Sequence, residues 1–224
     1  WIAADVPIAV SLAPSYRSLF HFNEPGQVFD ALKRLGFTYI RETAEGAALV
    51  TNEYRKLLEK KDMKNIITTC CPSVNLLIET YYPSLIPYMA PVVSPMTAHA
   101  RMLKDEYGPD VKVVFIGPCV SKKAEAYDNA SAPSADAVLN FHEVKRWLRS
   151  EDIQIKSCQP LPIDGHDPHI NKLYPITGGI IASVNTCETA QSDTYRKFSV
   201  DGVKNCIDLC DNLSNGKLSN CFIE

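Results

Sequence analysis

The stretch at residues 66–72 reads IITTCCP, a β-branched run that ends at two adjacent cysteines. A second stretch at residues 111–119, VKVVFIGPC, repeats this arrangement, because an apolar run again ends at a cysteine. Such runs are typical of buried parallel strands, and open α/β sheets bind ligands beyond the carboxyl ends of their strands. Two thiol groups at two such edges indicate a soft-metal or redox site. The spacing of the cysteines alone does not distinguish a metal site from a redox site.

The composition is that of an ordinary globular protein. The chain has 224 residues, of which 46% are hydrophobic and 22% are charged, enough for one large or two small domains. A net charge of −3, without a Lys/Arg cluster with interleaved aromatic residues, argues against a nucleic-acid partner. No apolar run approaches the roughly 20 residues that span a bilayer, so no membrane partner is expected. The sequence opens on Trp1 without a signal segment, which predicts that the start is missing.

Eight cysteines are many for a chain of this size. A disulfide framework is typical of short, loop-rich secreted domains, whereas this sequence has long strand and helix patterns. We therefore favour a reducing, cytoplasmic compartment, in which a few thiols are ligands and the others are small buried hydrophobic groups. A disulfide-bonded protein is the alternative.

Strand and helix patterns alternate along most of the chain, which predicts an α/β fold. We expect two lobes of mostly parallel sheet flanked by helices, with the active site in the cleft between them. The proline-rich stretch at residues 83–95 is the predicted boundary. Residues 1–94 would then form the first lobe and residues 95–224 the second. The second lobe ends on a predicted strand, which indicates that it is incomplete at its C-terminus.

The cysteines of the two stretches differ in their expected chemistry. Adjacent cysteines in an extended segment point to opposite faces, so Cys70 and Cys71 are not expected to hold the same metal ion. Cys119 should lie in the first turn of a helix, where free N–H groups favour a thiolate. Lys122 would share that helical face and could donate a hydrogen bond to an anion beside a metal. The alternative is that these cysteines only fill the core.

The other cysteines and the histidines give weaker signals. Two cysteines, Cys206 and Cys210, are four residues apart on an apolar helix face. We interpret all the remaining cysteines as core residues: Cys158, Cys187, Cys206, Cys210 and Cys221. His166 and His169 could ligate a metal, but the Gly, Pro and Asp residues around them favour an exposed loop. The other histidines have no clustered partner.

The two cysteine segments together resemble the active-site domain of the iron-only (FeFe) hydrogenases. Residues 68–72, TTCCP, are similar to that family's TSCCP motif, and residues 118–123, PCVSKK, are similar to its PCxxKK motif. Weaker matches follow the family's order: APSYR at residues 13–17, SP at residues 94–95 and TGG at residues 177–179. The resemblance covers nearly the whole chain.

The resemblance implies the H-cluster, a 4Fe–4S cubane bridged by a cysteine to a diiron subcluster that carries CO, cyanide and a dithiolate bridge. It implies that Cys71 and Cys119 are cubane ligands, that Cys70 relays protons to the bridge amine and that Lys122 donates a hydrogen bond to a cyanide. Five residues would contribute to the cofactor pocket: Pro14, Ser15, Thr69, Pro118 and Thr177. The implied reaction is reversible reduction of protons to dihydrogen. An electron-donating ferredoxin-like domain or protein and maturation proteins would be the partners.

The sequence departs from the family pattern in three places. The family's third motif, of the ACxGGC kind, is absent before Glu224. Because a cubane normally needs four thiolates, we expect this 224-residue piece to lack the diiron subcluster. Gly117 stands where the family has a methionine. The family's proton route runs from the relay cysteine through two glutamates and a serine. When positions are counted from Cys70 without gaps, Val50 and Ala90 stand in place of one glutamate and the serine. Glu53 is the only residue of that route that remains.

These departures leave three alternatives. The protein would turn over hydrogen, or it would be a slow hydrogen or redox sensor that uses the same cluster. It could also be an iron–sulfur assembly protein of the same fold, without the diiron unit. Cys70 and Lys122 argue against the assembly protein, because a cubane alone needs neither.

Overall fold

The computed structural model describes residues 1–128, 134–166, 169–186 and 194–224. These residues form two compact units. Unit 1 contains Trp1–Ala47 and Pro95–His169, and unit 2 contains Ala48–Ser94 and Ile170–Glu224. Each unit is built around its own parallel sheet.

The elements of the described residues alternate along the chain. The strands are β1 (Ile8–Leu12), β2 (Tyr39–Glu42), β3 (Asn65–Ile67), β4 (Lys112–Gly117), β5 (Ala137–Asn140), β6 (Arg196–Phe198) and β7 (Cys221–Ile223). The α-helices are α1 (Tyr16–Leu19), α2 (Gly26–Arg34), α3 (Ala44–Lys60), α4 (Pro72–Tyr81), α5 (Pro95–Tyr107), α6 (Ser121–Tyr127), α7 (Phe141–Ser150), α8 (Gly179–Asn185) and α9 (Val203–Ser214). Short 3₁₀ segments occur at Ile2–Ala4, Pro83–Tyr88, Ile155–Ser157 and His169–Leu173.

Unit 1 contains a four-stranded parallel sheet with the order β2-β1-β4-β5. Leu12 of β1 pairs with Glu42 on one side and with Ile116 on the other. All five residues of β1 are buried, as expected for a central strand that is covered on both faces. The carboxyl ends of β1 and β4 therefore lie side by side, and the segments that follow them begin at the same edge.

The helices of unit 1 bury the faces that the sequence pattern predicts. In α2, Val28 and Leu32 are buried at helical spacing. The chain leaves this helix through Gly36, whose φ of 97° lies in the left-handed region that favours glycine. A capping box starts α7, because the Asn140 side chain accepts from the Glu143 N–H and the Glu143 carboxylate accepts from the Asn140 N–H.

Unit 2 contains a three-stranded parallel sheet with the order β3-β7-β6. The central strand pairs through Cys221, which lies opposite Asn65 on one side and Arg196 on the other. Both α4 and α9 contribute to one apolar cluster with the sheet: Ile67, Ile78, Leu85, Cys210, Leu213, Cys221 and Ile223. Burial of a large aliphatic side chain in such a cluster contributes about 1.5–3 kcal/mol.

The predicted α/β fold with parallel sheets flanked by helices is confirmed. The division of the chain differs from the two consecutive lobes predicted at residues 1–94 and 95–224. The boundary between Ser94 and Pro95 is one of the junctions, but each unit takes segments from both halves. The reason is that β1 pairs with β4, and β3 with β7. Parallel strands need long crossovers, so their partners are distant in sequence and local composition does not reveal them.

Two elements of the structure were not predicted. One is the 3₁₀ segment His169–Leu173, which begins at a histidine that was expected in a loop, and the other is β6. In the described ranges, no helix combines the length and the apolar character needed to cross a bilayer.

Candidate metal centre

The turn that carries the adjacent cysteines is held by hydrogen bonds from three parts of unit 2. Thr69 donates its N–H to the Tyr54 hydroxyl at 3.1 Å, and its Oγ1 lies 2.7 Å from the Val92 carbonyl oxygen and 3.1 Å from that of Ala90. The Thr69 carbonyl accepts from Asn75 Nδ2 at 3.0 Å. Thr69 therefore fixes the backbone just before the two thiols, and its hydroxyl is engaged by backbone carbonyls.

Cys70 lies beside the buried Tyr54. Its Sγ is 3.3 Å from the Tyr54 hydroxyl. Burial raises the pKa of Tyr54 well above its ordinary value, and Cys70 raises it further. The pKa of Tyr174 is also raised, first by burial and then by Cys70, and its hydroxyl lies 2.8 Å from Thr51 Oγ1. Both phenols stay protonated near neutral pH, so Tyr54 can donate a hydrogen bond to Cys70 as a thiolate or accept one from it as a thiol.

Cys71 has different surroundings from its neighbour. It is the N-cap of α4, with Pro72 at the first helical position, and it is exposed. Its carbonyl accepts from the N–H groups of Val74 and Asn75, each at 3.1 Å. The prediction that the two adjacent thiols face different environments is consistent with this geometry.

In unit 1, Cys119 follows β4 but does not lie in a helix. The strand ends at Gly117, and α6 begins at Ser121 with Val120 as its N-cap. The prediction that Cys119 lies in the first helical turn was wrong, because the exposed Pro118 and Val120 extend the turn. Cys119 is half-buried.

Gly117 is in close contact with the ring of Phe115. A Cβ placed there would lie 2.6 Å from ring atoms of Phe115 and 3.2 Å from the Cβ of Ala13. Real Cβ atoms do not approach other heavy atoms to 2.6 Å, so a larger residue would force Phe115 to move. The methionine that the family has at this position therefore has no space beside the present Phe115 rotamer.

Lys122 forms a buried ion pair in α6. Its Nζ donates to Glu125 Oε2 at 2.6 Å, and the exposed fractions of the two side chains are 11% and 13%. Thr97 of α5 donates to the other oxygen of this carboxylate at 3.2 Å. Glu125 therefore orients the Lys122 ammonium and is itself anchored from a second helix.

The segment after β1 lies beside the segment after β4. Pro14 and Ser15 follow β1 and lead into α1, with Ser15 as the N-cap. Leu12 and Ile116 are paired, so Ser15 and Cys119 each lie three residues beyond a matched position. Among the described residues, the buried Ser15 hydroxyl has no hydrogen-bond partner. A buried polar atom without a partner is costly, which is an observation that favours a bound group at this place.

Thr177 lies at the surface of unit 2. Its hydroxyl donates to Asp201 Oδ2 at 3.1 Å, just before α9. Gly178 has a φ of 83°, and a Cβ on Gly179 would lie 1.8 Å from the Leu173 carbonyl oxygen. The two glycines are therefore required by the backbone of this turn.

Sequence reasoning missed several partners of these residues. Tyr54 contacts Cys70, and Glu125 contacts Lys122. Only the contact between Lys122 and Glu125 is close enough in sequence to be predicted, as an i,i+3 pair. No clustered partner was expected for His99 as a metal ligand, and its Nδ1 lies 2.8 Å from Ser11 Oγ. Burial, followed by the positive charge of Arg41, lowers the pKa of His99 to about 3.

The thiol groups of Cys71 and Cys119 are of the chemical type that binds iron–sulfur clusters. Thiolates are the ligands that hold such clusters, and Cys71 and Cys119 are at least partly accessible. Within the part of the chain that the structure describes, no group of three or more His, Cys, Asp or Glu side chains is arranged to hold a metal ion. Cys158, Cys210 and Cys221 are buried, as predicted, whereas Cys206 is half-buried. Cys187 lies outside the described residues.

Parallel sheets with cysteines beyond the carboxyl ends of β3 and β4 define the class, an α/β domain with a candidate site for a soft metal. The family model for the C-terminal domain of the iron-only hydrogenase large subunit matches residues 6–224. The chain therefore belongs to the family of the iron-only hydrogenase large subunit, C-terminal domain.

Individual relatives include hydrogenases and assembly factors. Iron hydrogenase 1 of Clostridium pasteurianum is 26% identical over 80% of this chain and 36% of its own length. The cytosolic Fe-S cluster assembly factor NAR1 of Candida dubliniensis is 27% identical over 68% of this chain and 30% of its own length. The chain thus spans about a third of the length of these curated relatives.

The fold is shared with solved hydrogenase structures. A variant of apo [FeFe]-hydrogenase HydA1 from Chlamydomonas reinhardtii superposes with a TM-score of 0.76 at 20% sequence identity. The match covers 96% of this chain and 76% of that chain.

Proposed function

We propose that the chain is the H-cluster domain of an FeFe-hydrogenase-like protein that reduces protons reversibly to dihydrogen. The observation that carries the proposal is the turn with two adjacent thiols. Cys71 is exposed at the start of a helix, while Cys70 is 3.3 Å from a buried phenol. A ligand thiol must reach iron, whereas a relay thiol must exchange a proton with a neighbouring group.

The proposed roles follow the family's motifs. Cys71 and Cys119 would be cubane ligands, and Lys122 would donate a hydrogen bond to a cyanide of the diiron subcluster. When bound, the cluster would supply electrons and an iron site for hydrogen. Cys70 would hold and pass the proton, supported by the Tyr54 hydroxyl. Ser15 would contribute its unpartnered hydroxyl to the pocket, with Pro14, Pro118 and Thr177 as further contacts.

For Thr69, we propose a role in shaping the turn instead of contacting the cofactor. Its hydroxyl already lies within hydrogen-bond distance of two backbone carbonyls. The proposed partners remain a ferredoxin-like electron donor and maturation proteins, and the cytoplasmic compartment remains a prediction.

The proposal is tested on the full-length protein after maturation. Infrared bands of CO and cyanide are expected, together with hydrogen turnover. A Cys70→Ala variant should keep the bands and lose at least about a hundredfold of the turnover, because a positioned proton-transfer group contributes about 10²–10⁴ in rate. Cys158→Ala, at a buried cysteine of unit 1, is the matched control and should keep both. Unchanged turnover in Cys70→Ala would refute the relay role.

Two observations favour a slow sensor as the second candidate. Gly117 has no space for the family's methionine beside Phe115. Glu53, the one carboxylate left on the counted proton route, is about half exposed and pairs with Lys56 at 2.7 Å. A turnover rate far below that of a matched hydrogenase, with normal infrared bands, would support sensing. The assembly alternative, which the NAR1 relative supports, predicts a cubane without CO or cyanide bands.

A further inference from the structure

A surface groove of unit 1 lies beside α7 and has a volume of about 400 Å³. Part of its lining is apolar and buried, because Phe20 and Leu148 each have only 4% of their surface exposed. The half-buried Ile153 and Ile155 extend this apolar surface. The volume lies within the range of about 300–1,000 Å³ that is usual for small-molecule sites, which are mostly apolar with a few polar groups.

One wall of the groove is a face of α7, and the chain that follows this helix forms the other. Lys145, Leu148 and Arg149 share one face of α7 at i, i+3 and i+4. The chain reverses at Asp152, whose φ is 51°, and Ile153 then donates its N–H to the Leu148 carbonyl at 2.8 Å. The segment after this turn therefore runs back beside the helix and lines the groove.

Other parts of unit 1 hold the groove in shape. The buried Gln27 of α2 donates from Nε2 to the carbonyls of Lys156 and Cys158, at 3.0 Å and 3.1 Å, and so fixes the second wall. The Phe20 ring makes an edge-to-face contact with Phe141, with 5.4 Å between the ring centroids. Because these contacts are internal to unit 1, a ligand would have little of the groove to order, which favours binding.

The acidic and basic side chains that line the groove are all cations, Lys145, Arg149 and Lys156, although the chain has a net charge of −3. Cations on α2, α5 and α6 are paired with carboxylates. Within the ranges that the structure describes, none of the three groove cations forms an ion pair. The acidic residues that follow α7, Glu151 and Asp152, are exposed and do not line the groove.

The helix dipole accounts for only one of these cations. Arg149 is in the last turn of α7, where a positive side chain offsets the negative end of the helix. Lys145 lies one turn earlier, and its Nζ is 5.6 Å from the centroid of the Phe20 ring, a distance at which the ring attracts the ammonium. Lys156 lies outside the helix. Positive charge is thus concentrated around an apolar surface without a carboxylate to neutralise it.

We propose that the groove binds a soluble amphiphilic carboxylate, such as a medium-chain fatty acid. The carboxylate accepts charge-assisted hydrogen bonds from Lys145 and Arg149, and the alkyl chain lies on Phe20 and the two isoleucines. Charge complementarity selects an anion, and the apolar surface selects one with a hydrocarbon body. A membrane fits less well, because segments that bind anionic lipids have about 4–8 Lys or Arg residues, and three line this groove.

The test titrates the full-length protein with octanoate by isothermal titration calorimetry, and saturable binding at one site is expected. 1-Octanol has the same chain without the charge, so it should bind at least about tenfold more weakly, because hydrogen bonds to an ionised group are about twice as strong as neutral ones. Hexanoate should bind about tenfold more weakly than octanoate, because two fewer methylene groups are buried. The proposal is independent of iron, since the groove contains none of the predicted cofactor residues.

Variants place the ligand in the groove. The double variant Lys145→Gln, Arg149→Gln should lose at least about tenfold of the affinity for octanoate, because both charged donors are removed. Arg146→Gln is the matched control, since Arg146 is an exposed cation of the same helix that does not line the groove. Hydrogen exchange in the peptide that spans residues 145–156 should slow when octanoate binds, and the peptide that spans residues 66–75 should be unchanged.

Several outcomes would overturn the proposal. The first is that octanoate does not bind saturably, or binds no better than 1-octanol. The second is that the double variant and the Arg146→Gln control lose the same affinity, which would show that the groove cations are not the donors. The third is that the protein binds phosphatidylglycerol vesicles or a glutamate-rich peptide but not octanoate, which would assign the groove to a membrane or to an acidic protein partner.

Discussion

The turn after β3 and the turn after β4 both present cysteines beyond a parallel strand, and different interactions hold them. The first turn, at residues 68–71, is fixed by hydrogen bonds that Thr69 donates to Tyr54 and to the carbonyls of residues 90 and 92, and by one that it accepts from Asn75. The second, at residues 117–120, depends on the close contact of Gly117 with Phe115 and on the buried Lys122–Glu125 pair just after it.

The difference shows that the same sequence pattern, an apolar strand followed by a cysteine, can be stabilised by two different kinds of interaction. Directional hydrogen bonds place Cys70 beside the Tyr54 hydroxyl. Close packing and an ion pair instead leave Cys119 half-buried and bring a cation into the next helix. Mutations that remove one kind of interaction should therefore act on one turn and spare the other.

The largest expected effect is on the ion pair of unit 1. Glu125→Gln leaves the Lys122 ammonium buried without its carboxylate, which costs about 3 kcal/mol in the free energy of unfolding. Glu53→Gln is the matched control, because Glu53 and Lys56 form an i,i+3 pair that is about half exposed. It should cost less than about 1 kcal/mol. Urea unfolding followed by far-UV circular dichroism measures both, and equal costs would show that burial of the Lys122 pair contributes nothing.

The next effect is a pH dependence that should be confined to unit 1. All five histidines lie in that unit, and burial and Arg41 lower the pKa of His99 from 6.5 to about 3. Between these values the unfolded chain binds the proton and the folded chain does not, so stability is complete above pH 6.5 and falls as the pH is lowered. From pH 7 to pH 5 the loss should be about 2 kcal/mol.

Both tryptophans, Trp1 and Trp147, also belong to unit 1, so their fluorescence during urea unfolding follows this unit. A His99→Gln variant should lose the pH dependence attributed to His99. His21→Gln, at an exposed histidine, should keep it. The assignment to His99 fails if both variants have the same dependence.

Local patterns predicted the elements that place the cysteines. β-branched runs gave β3 and β4, because buried parallel strands favour such residues at every position. The Lys122–Glu125 pair could also have been predicted, since i,i+3 residues are neighbours on a helix. The first helical turn expected at Cys119 was wrong because Pro118 and Val120 lengthen the turn.

Contacts between residues distant in sequence could not be predicted in this way. Tyr54 reaches Cys70 from α3, and Ser11 reaches His99 across 88 positions. Cys206 was interpreted as a core residue because it shares an apolar face with Cys210, but only Cys210 is buried. Burial depends on where a helix ends relative to the sheet edge, and the hydrophobic period contains no information about that distance.

The smallest expected effect concerns the hydrogen bonds of the first turn, at residues 68–71. Tyr54→Phe removes the acceptor of the Thr69 N–H and the neighbour of Cys70 Sγ, so a buried N–H loses its partner at a cost of about 1 kcal/mol. The ring and its edge-to-face contact with Phe222 remain, which limits the change to the hydroxyl. Hydrogen exchange in the peptide that spans residues 66–75 should become faster, while the peptide that spans residues 112–121 should be unchanged. Tyr81→Phe, at an exposed tyrosine of α4, is the control. Equal acceleration in both peptides would mean that the two turns are not held independently.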